Sequence, residues 1–171
     1  MARSLTPRIH ARLVGALLGL VLPLSVPHGF AQHLERGPFT GLSGQWSGYG
    51  SMTKTDGTKE RIQCRARYGS GAAGTSLSLQ LNCVSASYRM QISANVVSRA
   101  GVLSGSWNEA VHGQVGNISG RAAAATIRAQ VSGGNFSAGV GIRTQGNTQS
   151  VTITPSAGTD VRFMTISMHK G

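Results

Sequence analysis

Runs of alternating apolar and polar residues follow one another along most of this chain. Ile62, Cys64, Ala66 and Tyr68 alternate with Arg61, Gln63, Arg65 and Arg67. Leu77, Leu79, Leu81 and Cys83 alternate with Ser76, Ser78, Gln80 and Asn82, and Tyr88, Met90, Ile92 and Ala94 with Arg89, Gln91, Ser93 and Asn95. Successive side chains on a strand point to opposite faces, so each run predicts a strand with one apolar and one wet face. The same period predicts a first strand from about Leu42 to Met52 and a fifth over Val102 to Glu109, with Leu103, Gly105 and Trp107 on one face. A Gly-rich sixth strand covers about Gln114 to Arg121. A seventh carries Ile127, Ala129 and Val131, and an eighth carries Phe136, Ala138, Val140 and Ile142. Val151 and Ile153 mark the ninth, and Met164, Ile166 and Met168 the last.

Turn chemistry separates these runs. Thr55-Asp56-Gly57 fits a three-residue hairpin loop with Gly at the left-handed position. Gly69 to Thr75, Ser132-Gly133-Gly134, Gln145-Gly146-Asn147 and Ala157-Gly158-Thr159-Asp160 have turn composition. Ala122 to Ala125 is the one helix-prone stretch, and Gly120 and the β-like residues after it argue against a helix there. Short strands joined by short turns predict an all-β antiparallel meander of about 8–10 strands. Closure into a barrel removes exposed edges and accommodates the many inward glycines, with a two-sheet sandwich as the competing architecture.

The first 31 residues read differently. Arg3, Arg8 and Arg12 precede an apolar run over 13–26, and His28-Gly29-Phe30-Ala31 offers small residues where a signal peptidase reads. The run is short of the about 20 residues that a membrane helix needs. The expected organisation is a signal peptide at 1–31, a flexible tail at 32–41 and one β-barrel domain at 42–171, in the periplasm or secreted. Cleavage takes three of the 16 Lys and Arg, leaving 13 against five acids, a net charge of +8. That excess attracts anionic polymers, anionic lipid or acidic proteins. The basic residues never form a run, and a solvated basic face explains them equally well.

Two cysteines in an exported chain predict a disulfide. If Cys64 faces Cys83 across a hairpin, Ala66 meets Leu81 and Tyr68 meets Leu79, so one register satisfies both the bond and the apolar pattern. The bond would stabilise by about 3 kcal/mol in the chain-entropy model. Without Cys-x-x-Cys spacing, a redox-active role is not expected.

The same parity nominates two groups of site residues. Trp46, Tyr68, Met90, Trp107, Phe136 and Met164 fall on apolar faces and are the candidate barrel interior or ligand pocket. Arg61, Arg65, Arg67 and Arg89 fall on wet faces and are a candidate anion-binding face. If Leu81 pairs with Met90, then Arg65, Asn82 and Arg89 form one outer row. Nucleic-acid binding needs stacking aromatics as well, and Tyr68 and Tyr88 point inward in this register, so no nucleic-acid partner is expected.

Two short motifs carry resemblances. Gly44-Gln45-Trp46 resembles the first-strand signature of lipocalins and avidins, calycin-type barrels in which the Trp plugs one end. Leu42-Ser43-Gly44-Gln45-Trp46 and Leu103-Ser104-Gly105-Ser106-Trp107 echo each other and resemble strand starts of bacterial avidins. The further Trp residues of the avidin biotin pocket are missing, so no ligand site carries over. The Gly-x-Trp start, one disulfide and a tail at Gln32 to Thr40 also resemble the small periplasmic inhibitors of bacterial metalloproteases, whose free tail blocks the protease. The whole pattern is similar to uncharacterised small exported β-proteins of alphaproteobacteria, a resemblance that implies no activity.

Catalysis has little support. The chain past the leader holds His33, His112 and His169 and the acids Glu35, Asp56, Glu60, Glu109 and Asp160. Glu109 with His112 is the one close acid–His pair beyond the tail, and a solvated loop pair is the preferred reading. No zinc spacing, phosphate-cradling loop or nucleophile elbow appears, so no cofactor, metal or catalytic residue is expected. Outer-membrane strands turn apolar residues outward between aromatic girdles. Few aromatics are present, so an outer-membrane barrel ranks third and stable membrane insertion is not expected. The sequence therefore predicts an exported, non-catalytic binding barrel. Its partner is a small apolar or anionic molecule or an anionic cell-envelope component. The alternative is a protein-interaction module such as a protease inhibitor. For exported protein, intact mass after alkylation should show no free thiol. Two free thiols would remove the hairpin register together with the bond.

Overall fold

The computed structural model describes residues 36–171. The expected signal peptide, its cleavage site and residues 32–35 of the expected tail lie outside the described residues. Among the described residues there are ten strands: β1 (Gly44–Lys54), β2 (Lys59–Ser70), β3 (Ser76–Val84), β4 (Arg89–Arg99), β5 (Val102–Glu109), β6 (Gln114–Ala123), β7 (Thr126–Gly133), β8 (Phe136–Gln145), β9 (Thr148–Ala157) and β10 (Val161–Lys170). Each pairs antiparallel with the next, and β10 returns to β1, so the sheet is a closed barrel rather than a sandwich. The turns are those the composition predicts. Asp56 Oδ1 accepts the Thr58 N–H at 2.8 Å and Gly57 takes φ 88°. The alanine-rich stretch is not helical: β6 runs to Ala123, and Ala124 at φ 48° turns the chain toward β7.

Cys64 faces Cys83, Ala66 faces Leu81 and Tyr68 faces Leu79. The disulfide joins β2 to β3 with Cα atoms 4.2 Å apart, and both cysteines are fully buried. The next hairpin is shifted by two residues from the expected pairing. Leu81 faces Ile92, and Met90 faces Cys83. Glu60 provides the cause. Its carboxylate accepts the Ser85 hydroxyl at 2.7 Å, the Ser87 N–H at 3.0 Å and the Ser87 hydroxyl. Ser85 Oγ in turn accepts the Tyr88 N–H at 3.1 Å. Capped in this way, residues 85–88 all belong to the turn, and the ladder starts at Val84 with Arg89. A shift of two preserves which face each side chain takes, so the in–out pattern survives.

The glycine-rich start of the described chain is held rather than loose. Gly37 N–H and Phe39 N–H donate to the carbonyls of Ala73 and Gly74 in the β2–β3 turn, at 2.8 and 3.0 Å. Phe39 and Leu42 are buried in the core. Trp46 Nε1 donates to the Leu42 carbonyl at 2.8 Å, and Lys170 Nζ reaches the Gly41 carbonyl at 3.0 Å. Phe39, Leu42 and Trp46 thus cap the barrel end that carries the β2–β3 turn. In sequence, Phe39 stands between Pro38 and Thr40 with no periodic partner, so the alternation gave no sign of its burial.

Inward positions on β10, β1 and β2 pack solidly. Trp46, Met52, Ile62, Cys64, Met164, Ile166 and Met168 are all within 3% of complete burial. The outward positions carry Ser, Thr, Gln, Asn and Arg, with apolar exceptions such as Tyr49, Val102 and Phe163 scattered among them. A lipid-facing wall requires the reverse orientation.

Two predictions follow from this packing. Truncating Trp46 to Ala removes a ring from a filled end and should cost about 3–5 kcal/mol, read by denaturant unfolding, while Trp46→Phe should recover most of that loss. The Glu60 carboxyl is held down to about 2 by the hydrogen bonds from Ser85 and Ser87. Its folded value lies below the ordinary 4.5, so its stabilisation is complete above that pH and is lost as pH falls toward 2. The Ser87 amide proton shift should titrate with a midpoint near 2; a midpoint at the ordinary carboxyl value would show that the cap does not form.

Candidate ligand cavity

The barrel interior is filled on one side only. Leu79, Leu81, Ile92, Val96, Ala129 and Ile142 point inward from β3, β4, β7 and β8, yet they are incompletely buried. They face a cavity of about 470 Å³ that runs from Phe39 at the capped end to Asp160 at the other. Small-molecule sites typically occupy about 300–1,000 Å³ and are lined by apolar and aromatic groups with a few placed polar ones. The walls here are Leu, Ile, Val, Ala and Met with Trp107 and Phe136. Those two rings meet edge to face at 5.6 Å, and Trp107 Nε1 donates to the Ser132 carbonyl at 3.3 Å.

Polar side chains sit at the two ends. Toward the capped end, Tyr68 Oη donates to Gln149 Oε1 at 2.9 Å, and Gln149 Nε2 donates to Thr144 Oγ1 at 3.3 Å. Gln149 is fully buried, and burial pushes the Tyr68 hydroxyl up to about 12. This network is neutral and internally satisfied. Tyr68 also meets Trp46 edge to face at 6.2 Å, tying it to the cap.

At the open end the polar group is charged. Glu109 closes β5 on the inward parity and is 5% exposed. Its carboxylate accepts the N–H groups of Gln91 at 2.8 Å, Val111 at 3.1 Å and His112 at 2.7 Å, and His112 Nδ1 at 2.8 Å. Burial opposes its charge, but these bonds prevail and hold the carboxyl below its ordinary value. An ionised carboxylate only accepts, so Nδ1 carries a hydrogen and donates, which leaves Nε2 free. The imidazole stacks on Tyr88 with centroids 5.5 Å apart and planes 21° apart. Tyr88, Glu109 and His112 all line the cavity, with Gln114, Asn135, Thr159 and Asp160 around the same end.

All six interior candidates point into the barrel, and they divide into two sets. Tyr68, Met90, Trp107 and Phe136 line the cavity, whereas Trp46 and Met164 belong to the solid side and do not. The two Leu-Ser-Gly-x-Trp segments therefore play different parts, with Trp46 in the cap and Trp107 in the cavity wall. Arg61, Arg65, Arg67 and Arg89 are exposed on the outer wall. They do not share a row. Arg65 faces Asn82, which faces Gln91, and Arg89 faces Val84 instead. The two-residue shift set by Glu60 removes Arg89 from the expected line. Arg61 stacks over Tyr49 at 4.4 Å. A direct cross-strand row does form elsewhere, where Arg99 faces Val102, Val102 faces Arg121 and Arg121 faces Arg128.

The sequence reading left Glu109 and His112 as a solvated loop pair. His112 is exposed, but Glu109 is not. A signal was present: Glu109 shares the parity of Leu103, Gly105 and Trp107, and a carboxylate on an apolar parity requires buried partners. Gln149 gives the same signal on the parity of Val151 and Ile153.

No protein-family model and no curated protein matches the sequence. Solved structures match the fold. The crystal structure of Rv2717c from M. tuberculosis aligns with a TM-score of 0.60 at 12% identity, over 77% of this chain and 94% of that one. The S-type phycobiliprotein lyase CPES from Guillardia theta aligns with a TM-score of 0.53 at 12% identity, over 77% of this chain and 89% of that one. Identities this low carry the fold alone.

Proposed function

We propose that this chain is an exported carrier that holds a small, largely apolar ligand inside its barrel. The observation that carries the reading is the hollow between β3 and β9. Apolar side chains there are left incompletely buried while the β10–β1–β2 side is solid. An unfilled apolar interior costs stability, since its lining atoms lack partners on one side. A ligand would supply them. The disulfide supports an oxidising compartment, periplasmic or extracellular. The cap favours a carrier over a tail-acting protease inhibitor, because residues 37–42 are packed into the barrel end and are not free to enter a partner's cleft. One of the structural matches is a phycobiliprotein lyase, and at 12% identity that likeness carries the fold alone. The cavity is read here as a binding site.

N-phenyl-1-naphthylamine, a neutral fluorescent probe, tests this directly. It should bind saturably to the wild type. Ala129→Phe fills the hollow from β7 and should weaken probe binding at least about tenfold, or 1.4 kcal/mol, with an unchanged or raised thermal midpoint. Arg65→Gln, Arg67→Gln and Arg89→Gln together should change neither probe binding nor the midpoint, since all three side chains face out. Absence of saturable probe binding in the wild type would overturn the carrier reading.

A further inference from the structure

We infer that the cavity selects ligands whose polar end is a cation or a neutral hydrogen-bond donor, and disfavours carboxylates and phosphates. The inference rests on the carrier reading and assigns its ligand class. The described residues hold 13 lysines and arginines, yet none lines the cavity. The charged groups that do line it are Glu109 and Asp160, both at the open end. An anionic head drawn into this low-dielectric interior would lose its hydration with no cation to replace it.

The surrounding charges do not reverse this balance. Lys54 lies 3.9 Å from Asp160, but it lies closer, at 3.4 Å, to Glu60. Lys54 is thus shared between Glu60 and Asp160, and it is not among the residues that line the cavity. Lys59, Arg89 and Arg162, at the same ends of β2, β4 and β10, are exposed and do not line the cavity. The barrel is thus basic on its outer wall, whereas the carboxylates of Glu109 and Asp160 line its mouth.

The mouth also presents matching acceptors. Glu109 holds the His112 ring by Nδ1 and leaves Nε2 toward solvent as the free ring nitrogen. Asn135, Gln114 and Thr159 add uncharged side chains that can accept or donate a hydrogen bond. The Tyr88 ring, stacked on His112, adds an aromatic face that favours a cation. A chain with an ammonium, amide or hydroxyl end would lie with its tail along the Leu, Ile and Val walls and its head against these groups. In this arrangement His112 and Asp160 determine specificity, and Glu109 is a positioning residue.

Competition against bound N-phenyl-1-naphthylamine decides the matter. Decylamine, decanol and decanoate share one tail and differ in the head, and each is used below its micelle-forming concentration near neutral pH. Decylamine should displace the probe at least about tenfold more tightly than decanoate, with decanol between them. Asp160→Asn, at an exposed carboxylate, should shrink the amine-to-acid ratio about threefold or more. Asn135→Arg places a cation at the mouth and should raise decanoate affinity. Decanoate binding as tightly as decylamine, or an Asn135→Arg variant that leaves decanoate unchanged, would overturn the assignment while leaving the carrier reading intact. Failure of the probe itself to bind would overturn both.

Discussion

The barrel closes because β1 lies nearer to β10 than any side chain would permit. Gly48 and Gly50 occupy inward positions on β1, where a β-carbon would overlap the carbonyl oxygens of Ser167 and Thr165 on β10. Only glycine allows that approach. With the two backbones in contact, the space beside them falls to the residues flanking the glycines. Trp46 fills it toward the capped end and Met52 toward the other, and Ile62, Cys64, Met164, Ile166 and Met168 complete a solid sector. Inward Gly105, Gly116 and Gly120 make equally close approaches to β4 and β7, yet beside β8, where Ala138, Val140 and Ile142 stand, the interior stays open.

Uneven filling divides the interior by polarity as well. The cap end holds a neutral network, Tyr68 to Gln149 to Thr144, whose members satisfy one another. The mouth holds a charged group, Glu109, whose bonds go mostly to backbone N–H groups of its own turn and of β4. The first arrangement makes a floor. The second fixes the β5–β6 turn and presents an imidazole beside an open apolar chamber. Both polar sets sit on parities otherwise reserved for apolar residues, which is why each needs full hydrogen bonding to exist there.

Period-two alternation made most of the architecture legible: a meander of about 8–10 strands and the Cys64–Cys83 register follow from which residues share a face, whereas a closed barrel and a sandwich both fit the pattern. What alternation cannot convey is a contact between elements distant in sequence. The two-residue shift of β4 combines a local bond, Ser85 Oγ with the Tyr88 N–H, with the carboxylate of Glu60, 25 residues before the Ser85 that it binds. Phe39 is buried by hydrogen bonds to a turn more than 30 residues on. Among the site residues, facing direction was legible for Tyr68, Met90, Trp107 and Phe136. Whether a given inward residue meets a neighbour or a void depends on what stands across the closed barrel from it, a property of closure and not of any one strand. Glu109 was visible as an exception to its own parity, and composition alone reads such an exception as a loop.

The disulfide stands where the solid sector ends. Cys64 belongs to β2, inside it, and Cys83 to β3, the first wall of the hollow. Local opening follows packing, so β10, β1 and β2 should exchange more slowly than β4 to β8. The covalent link joins β3 to the slower strands and leaves the remaining hollow walls to be held by ladder hydrogen bonds alone. A molecule occupying the chamber would contact those walls and, through Tyr68, Ile166 and Met168, the solid sector as well. Loading would then lessen the difference between the two sets of strands, and the empty and occupied proteins would differ less in shape than in cooperativity.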